Sequence, residues 1–230
     1  MSCQNVEQVA KMRSGKLMKA VLFDFDGTIA DTLPLIFHAF RKVFSKYTGR
    51  THSDREILQM FGPPEKEIIE RHIPPKQRKQ AFRDFLQLYD DKHREMVEHN
   101  PDIEKVVRLI KEKGLSLGIV TGKGRDSANI SLRHLGLARF FDVTITGDDV
   151  VRPKPDPEGL LMAIHRLDVR PTDAVYVGDS NGDILAGRRA GTGTIGANWM
   201  SVSQSDGFSV QPDHIFKDIQ SFSKWMQSVL

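Results

Sequence analysis

Cysteine is nearly absent from this chain: Cys3 is the single one among 230 residues. One thiol cannot build an internal disulfide framework, so the composition suits a reducing compartment, and a cytoplasmic location is the expectation. Long apolar runs are missing as well. No stretch approaches the roughly 20 consecutive apolar residues that a membrane-spanning helix needs, and residues 1–17 lack the apolar centre of a signal peptide. Neither export nor membrane insertion is expected. Charge of one sign is also scarce, with 33 Lys plus Arg against 30 Asp plus Glu and a net +3. Short basic patches such as Lys76, Arg78 and Lys79 have acids nearby, Asp84 among them, and read as a solvated helix face and not as a nucleic-acid footprint. No internal repeat, low-complexity tract or sustained heptad is visible.

What remains is a globular composition, 39% apolar and 27% charged. At roughly 150 residues per domain, the length fits one large domain or one domain carrying an insert. Apolar runs at 19–25, 115–121, 143–146, 174–178 and 194–197 are short and continuous, as strands of a parallel sheet are when both faces are buried. Helical patterns separate them. Ile103, Val106, Val107 and Ile110 mark one apolar face, with Asn100 as N-cap, Pro101 in the first turn and Gly114 as terminator. Residues 127–137, 157–167, 183–190 and 219–230 read the same way. The alternation predicts an α/β fold, a doubly wound Rossmann-like parallel sheet with its ligand site at the strand carboxyl ends.

One segment breaks the alternation. From about residue 32 to 99 the chain reads as helices only, with Ile36, Phe40, Val43 and Phe44 on one face and Phe82, Phe85, Leu86 and Tyr89 on another. This predicts an inserted all-helical cap domain at 32–99, a core domain made of 18–31 and 100–230, and an N-terminal extension at 1–17.

Chemistry-bearing residues gather where the strands should end. Asp24 and Asp26 flank Phe25 and precede Gly27 and Thr28. Two carboxylates so placed can meet one oxygen-seeking cation and one substrate, and Gly27 permits a tight turn whose amides can face an anion; alone, the same residues are also common turn chemistry. Asp179 and Asp183 follow a second strand and open a helix. An Asp N-cap explains either one singly, but not a second acidic strand end in one sheet. Thr121, Gly122 and Lys123 end a third strand, and are either an ordinary strand exit or a hydroxyl and amide suited to a phosphate oxygen. Prolines 153, 155 and 157 surround Lys154, giving either a proline-rich surface loop or a stiff mount for an inward lysine.

Together, in this order, the four pieces resemble the haloacid dehalogenase-like hydrolase superfamily, from Met18 to the C-terminus, with the helical insert resembling that superfamily's cap. Residues 119–123 and 154–157 look most like its phosphoglycolate phosphatase and pyrophosphatase branch. The resemblance implies that Asp24 is the nucleophile of an aspartyl-phosphate mechanism and Asp26 the general acid and then base. It implies Mg²⁺ between the Asp24 carboxylate, the Asp26 carbonyl and the Asp179 carboxylate, with Asp183 orienting a ligand or Lys154. Lys154 and Thr121 then join the catalytic set, and Gly27, Thr28, Gly122 and Lys123 bind substrate. The implied enzyme is a Mg²⁺-dependent phosphatase of small phosphorylated metabolites, phosphoglycolate among them. Inorganic pyrophosphate hydrolysis and a phosphosugar mutase resembling β-phosphoglucomutase stay open, since both use the same motifs. The presence of both Asp24 and Asp26 favours phosphoryl transfer over carbon–halogen or carbon–phosphorus cleavage. A non-catalytic phospho-receiver module shares strand-end aspartates, a Thr and a Lys, but its phosphoacceptor lies mid-chain and no large helical insert follows its first strand. No nucleic-acid or membrane partner is expected, and the chain should be a monomer or weak homo-oligomer.

Within the insert, Phe61, Gly62, Pro63 and Pro64 break the helical run and read as a loop directed at the site. Lys66 reads as a solvated lysine, whereas Lys123 and Arg125 are better candidates for holding a second anionic group. His52, His72, His93 and His99 fit no compact metal-ligand spacing. Trp199 and Trp225 read as core anchors.

Overall fold

Ala20–Phe23 forms β1, every residue of it buried, and the rest of the sheet is assembled around this strand. In the computed structural model, which describes residues 18–202 and 207–230, β1 pairs in parallel with β2 (Ser116–Val120) on one side and β4 (Ala174–Gly178) on the other. The extension assigned to 1–17, Cys3 included, lies outside the described residues. β3 (Val143–Ile145) flanks β2, β5 (Gly193–Ala197) flanks β4, and β6 (His214–Phe216) closes the far edge, giving the order β3-β2-β1-β4-β5-β6 with all pairs parallel. Phe23 stands beside Ile119 and Val177 in register. The carboxyl ends of β1, β2 and β4 therefore open side by side at the point where strand order reverses, the usual crevice of a doubly wound sheet.

The helices are α1 (Leu33–Thr48), α2 (Asp54–Leu58), α3 (Glu65–His72), α4 (Arg78–Met96), α5 (Pro101–Glu112), α6 (Arg125–Leu135), α7 (Glu158–Arg166), α8 (Asn181–Ala190) and α9 (Ile219–Val229). In α5 the expected signals act together: Asn100 Oδ1 accepts from the amide of Asp102 at 3.0 Å, and Ile103, Val106, Val107 and Ile110 are buried. Gly114 follows with φ at 77°. α6 starts and stops two residues earlier than periodicity indicates, because Gly136 in the left-handed region (φ 67°) ends it. β6 was not anticipated: it is three residues long, lies on the sheet edge and is only partly buried, so it shows neither a continuous apolar run nor an alternation.

Residues 33–96 carry helices and one turn of 3₁₀ helix at Pro75–Gln77, and no strand. α1 lies along α4 through aromatic packing, with the rings of Phe40 and Phe85 4.7 Å apart and those of Phe40 and Phe44 5.4 Å apart. The two tryptophans are half-buried at the other end of the sheet, where Trp199 stacks on Phe222 at 5.2 Å and Trp225 lies beside the same ring. None of the helices is long and apolar enough to cross a membrane, among the described residues.

A buried polar thread fastens α4 to α6. Tyr89 Oη and His93 Nε2 both meet Ser131 Oγ, at 2.8 and 3.0 Å, and the His93 ring stacks on His134 at 4.7 Å. Burial, with His134 and Lys123 nearby, pushes His93 down from its ordinary 6.5 to about 4. The unfolded chain thus binds a proton between these values that the native state refuses, so stability falls as pH drops through that window, by up to about 3 kcal/mol. Urea midpoints between pH 7.5 and 4 should show this slope, and His93→Gln should flatten it; an equal slope in both proteins would remove His93 as its source.

Candidate active site

Asp24 is the first residue past β1, and its amide prolongs the ladder by donating to Val177 O at 2.8 Å. Its side chain is 1% exposed. The next residues turn sharply, with Ile29 N donating to Phe25 O at 2.8 Å and Gly27 N donating to Ala30 O at 2.9 Å. Gly27 has φ at 81°, and a Cβ placed there would stand 2.4 Å from Asp179 Oδ2, so only glycine lets the turn lie this close to the end of β4. Thr28 Oγ1 donates to Asp179 Oδ1 at 3.5 Å. The amides expected to face substrate at Gly27 and Thr28 instead close the turn, that of Thr28 on Phe25 O at 3.2 Å. Toward Asp179 the turn presents the Thr28 hydroxyl and the bare Cα of Gly27.

Ser180 caps α8 reciprocally with Asp183, whose Oδ2 accepts from Ser180 N at 2.9 Å and Ser180 Oγ at 2.6 Å. The other oxygen, Oδ1, receives Lys154 Nζ at 2.6 Å and lies 3.0 Å from Tyr176 Oη. Lys154 also stands 2.9 Å from Asp24 Oδ1 and donates to Tyr176 Oη at 3.1 Å. The loop between β3 and α7 thus delivers one ammonium to two buried carboxylates. Burial lifts Asp24 from 3.8 to about 6, against the pull of Lys154 and with Asp183 and Asp26 adding to the rise. Burial opposes the charge on Lys154, but Asp183 and Asp24 outweigh it and hold the ammonium above its ordinary range.

Asp24, Asp179 and Asp183 each place a carboxylate oxygen within 4.8 Å of the others, all three buried. Packing three carboxylates together is costly unless cations compensate, and this all-oxygen donor set fits a hard divalent cation such as Mg²⁺. Asp26 stands apart from the trio. One of its oxygens accepts from Thr32 Oγ1 and lies 3.1 Å from Lys123 Nζ.

Lys123 leaves the end of β2 just after Thr121, whose Oγ1 accepts its amide at 3.2 Å. The lysine side chain is fully buried, with Nζ also 3.4 Å from Glu65 Oε1 and 4.6 Å above the centre of the Tyr89 ring. Burial disfavours its charge, yet Asp26, Tyr89 and Glu65 raise its pKa. Glu65 opens α3 and reaches across to the sheet side, accepting from Gly124 N and Ser127 Oγ, both at 2.6 Å. Between these groups lies a cavity of about 190 Å³. Asp24, Asp26, Thr121, Lys123 and Lys154 line its sheet side, and Ile36, Phe40, Phe61, Pro63 and Ile68 line the side facing the helical segment.

The haloacid dehalogenase-like hydrolase family matches residues 21–197, a span that holds every one of these groups. The chain belongs to this family. Pyrophosphatase PpaX of Bacillus velezensis is 34% identical over 202 residues, covering 88% of the hydrolase described here and 93% of its own length. Two solved structures share the fold. One, described as a predicted phosphoglycolate phosphatase from Haemophilus somnus, has a TM-score of 0.78 at 21% identity, covering 91% of this chain and 98% of its own. The other, CbbY from Rhodobacter sphaeroides in complex with phosphate, has a TM-score of 0.77 at 25% identity, covering 88% of this chain and 95% of its own.

Of the residues singled out in the hydrolase sequence, Asp24, Asp26, Thr121, Gly122, Lys123 and Lys154 border the cavity, and Asp179 and Asp183 sit beside them. Phe61, Gly62 and Pro63 line it too, as the break in the helical run indicated. Arg125 is drawn to Asp149 and Lys66 is exposed. His52, His72, His93 and His99 belong to no metal-ligand grouping among the described residues. Sequence reasoning missed Glu65, Tyr176 and Thr32. Glu65 looks like ordinary first-turn acid, Tyr176 is one more apolar strand residue, and Thr32 is a helix-start residue, so only their partners reveal them.

Proposed function

We propose that this hydrolase is a Mg²⁺-dependent phosphatase of small phosphorylated metabolites, working through an aspartyl-phosphate on Asp24. The observation that carries the reading is Lys154 Nζ held 2.9 Å from Asp24 Oδ1 and 2.6 Å from Asp183 Oδ1 beside the Asp179 carboxylate. In this reading residues 32–99 act as a cap over a core formed by 18–31 and 100–230.

A carboxylate oxygen of Asp24 attacks phosphorus in line while the leaving oxygen departs with a proton from Asp26. Asp26 then takes a proton from water, whose oxygen attacks the acyl phosphate, releasing orthophosphate and restoring the Asp24 carboxylate. Lys154 and Thr121 hold phosphoryl oxygens as charge redistributes. Thr32 and Lys123 keep the Asp26 carboxyl aimed into the cavity. The Asp24 and Asp179 carboxylates and the Asp26 carbonyl would hold Mg²⁺, which would supply charge neutralisation for the transferring group. Asp183 orients Lys154, its oxygens being engaged by that lysine and by Ser180.

Pyrophosphate hydrolysis is the second reading, favoured by the 34% identity to a pyrophosphatase over 93% of that protein's length. Phosphate release should be measured over phosphoglycolate, pyrophosphate, sugar phosphates and nucleotides with Mg²⁺ and after exhaustive chelation. Release that requires Mg²⁺ is expected. Undiminished release after chelation would count against the metal, and isomerisation of a sugar phosphate with little free phosphate would make the enzyme a mutase.

A further inference from the structure

Inside the cavity the positive charge is already committed. Among the described residues that line it, the cations are Lys154 and Lys123. Lys154 belongs to the phosphoryl side, between Asp24 and Asp183. Lys123, the lining cation beside Asp26, is enclosed by Asp26 at 3.1 Å, Glu65 at 3.4 Å and the face of Tyr89, and its side chain is wholly buried. Glu65 is itself fixed by Gly124 N and Ser127 Oγ, so it has no freedom to swing aside for an incoming anion. The side chains from the helical segment that complete that side are apolar, Ile36, Phe40, Phe61, Pro63 and Ile68.

We infer that the hydrolase selects phosphomonoesters whose leaving group is small and uncharged, and that Glu65 is the residue that sets this choice. The inference rests on the phosphatase reading above and narrows its substrate class. A leaving group carrying a carboxylate or a second phosphate would meet two carboxylates whose one nearby ammonium is shared between them, and like-charge contacts of this kind discriminate strongly. An alcohol or short aliphatic group meets the apolar wall without that repulsion. Glu65 acts by adding a second carboxylate to the Asp26–Lys123 pair; without it, one ammonium would face one carboxylate and the local negative charge that repels phosphoglycolate or pyrophosphate would fall.

A matched pair of substrates tests this. Phosphoglycolate and 2-hydroxyethyl phosphate differ in a carboxylate against a hydroxymethyl group, and pyrophosphate extends the series. With Mg²⁺ the wild-type kcat/KM should favour 2-hydroxyethyl phosphate over both anions by about tenfold or more. Glu65→Gln should shrink or invert that ratio, and Lys123→Met should widen it, so two variants of opposite sign separate charge from mere damage. Calorimetric binding to Asp24→Asn protein should rank the ligands in the same order. If turnover fails but the binding order holds, the catalytic reading falls and the substrate class stands. A wild-type preference for phosphoglycolate or pyrophosphate, or a ratio identical in wild type and Glu65→Gln, would overturn the inference.

Discussion

Asp24→Asn is expected to lower kcat by about 10⁴-fold or more, a loss comparable with removal of other covalent nucleophiles, while leaving the fold intact. The amide oxygen is a poor nucleophile and cannot yield the acyl phosphate that Asp26 and water would then resolve. The fold should survive for an electrostatic reason. Asp24 is buried with Asp179 and Asp183 inside 4.8 Å, and burial already lifts it from 3.8 to about 6, so a neutral isostere removes a charge the metal-free protein holds at a cost. Urea denaturation in chelator should find the variant at least as stable as wild type. Trapping of radiolabelled phosphate on wild-type protein should disappear in the variant. A kcat within tenfold of wild type would sink the nucleophile assignment.

Lys154→Met should do the reverse to stability. It keeps the unbranched apolar stem of the side chain but strips the ammonium from Asp24 at 2.9 Å and Asp183 at 2.6 Å. Breaking a buried pair by deleting one partner costs about 3–5 kcal/mol, because the surviving charge stays buried, and here two carboxylates survive. The loss of a fixed donor to the phosphoryl group should also lower kcat by about 10²- to 10³-fold. Denaturation midpoints and kcat on one substrate measure both. Wild-type stability in Lys154→Met would mean that Asp24 and Asp183 draw their compensation from elsewhere.

The acids at strand ends are legible in the sequence because each follows a short apolar run that alternates with helical patterns, as buried parallel strands do, and a sheet of such strands brings their ends together. Asp24 and Asp179 are 155 residues apart by number, yet only one strand boundary separates β1 from β4. Lys123 was legible as a site residue but not in its behaviour. Its partners Glu65 and Tyr89 come from helices, where an acid in the first turn serves the helix dipole and an aromatic on the apolar face serves the core. Tyr176 was hidden for the same reason, since its phenol, 2.7 Å from Val120 O, is visible only once β2 and β4 are placed on either side of β1. The resemblance implies Gly27 and Thr28 as substrate ligands, and what the structure adds is that their amides close the turn on Ala30 O and Phe25 O.

Glu65 has one further consequence, for how the two parts of the molecule depend on each other. α6 is preceded by Gly124, which has no side chain to cap the helix, and the acceptor for its buried amide is carried by α3, 59 residues earlier. The entry to the helix is thus held from two sides, by Glu65 on the Gly124 amide and by Asp148 on the Arg125 amide at 2.7 Å. Exchanging residues 33–96 for another helical stretch would therefore alter more than the cavity wall: unless the new stretch brought an acceptor to the same place, the Gly124 amide and the Ser127 hydroxyl would lose their partner beside the strand exit that carries Thr121 and Lys123, and Asp148 alone would hold the start of α6.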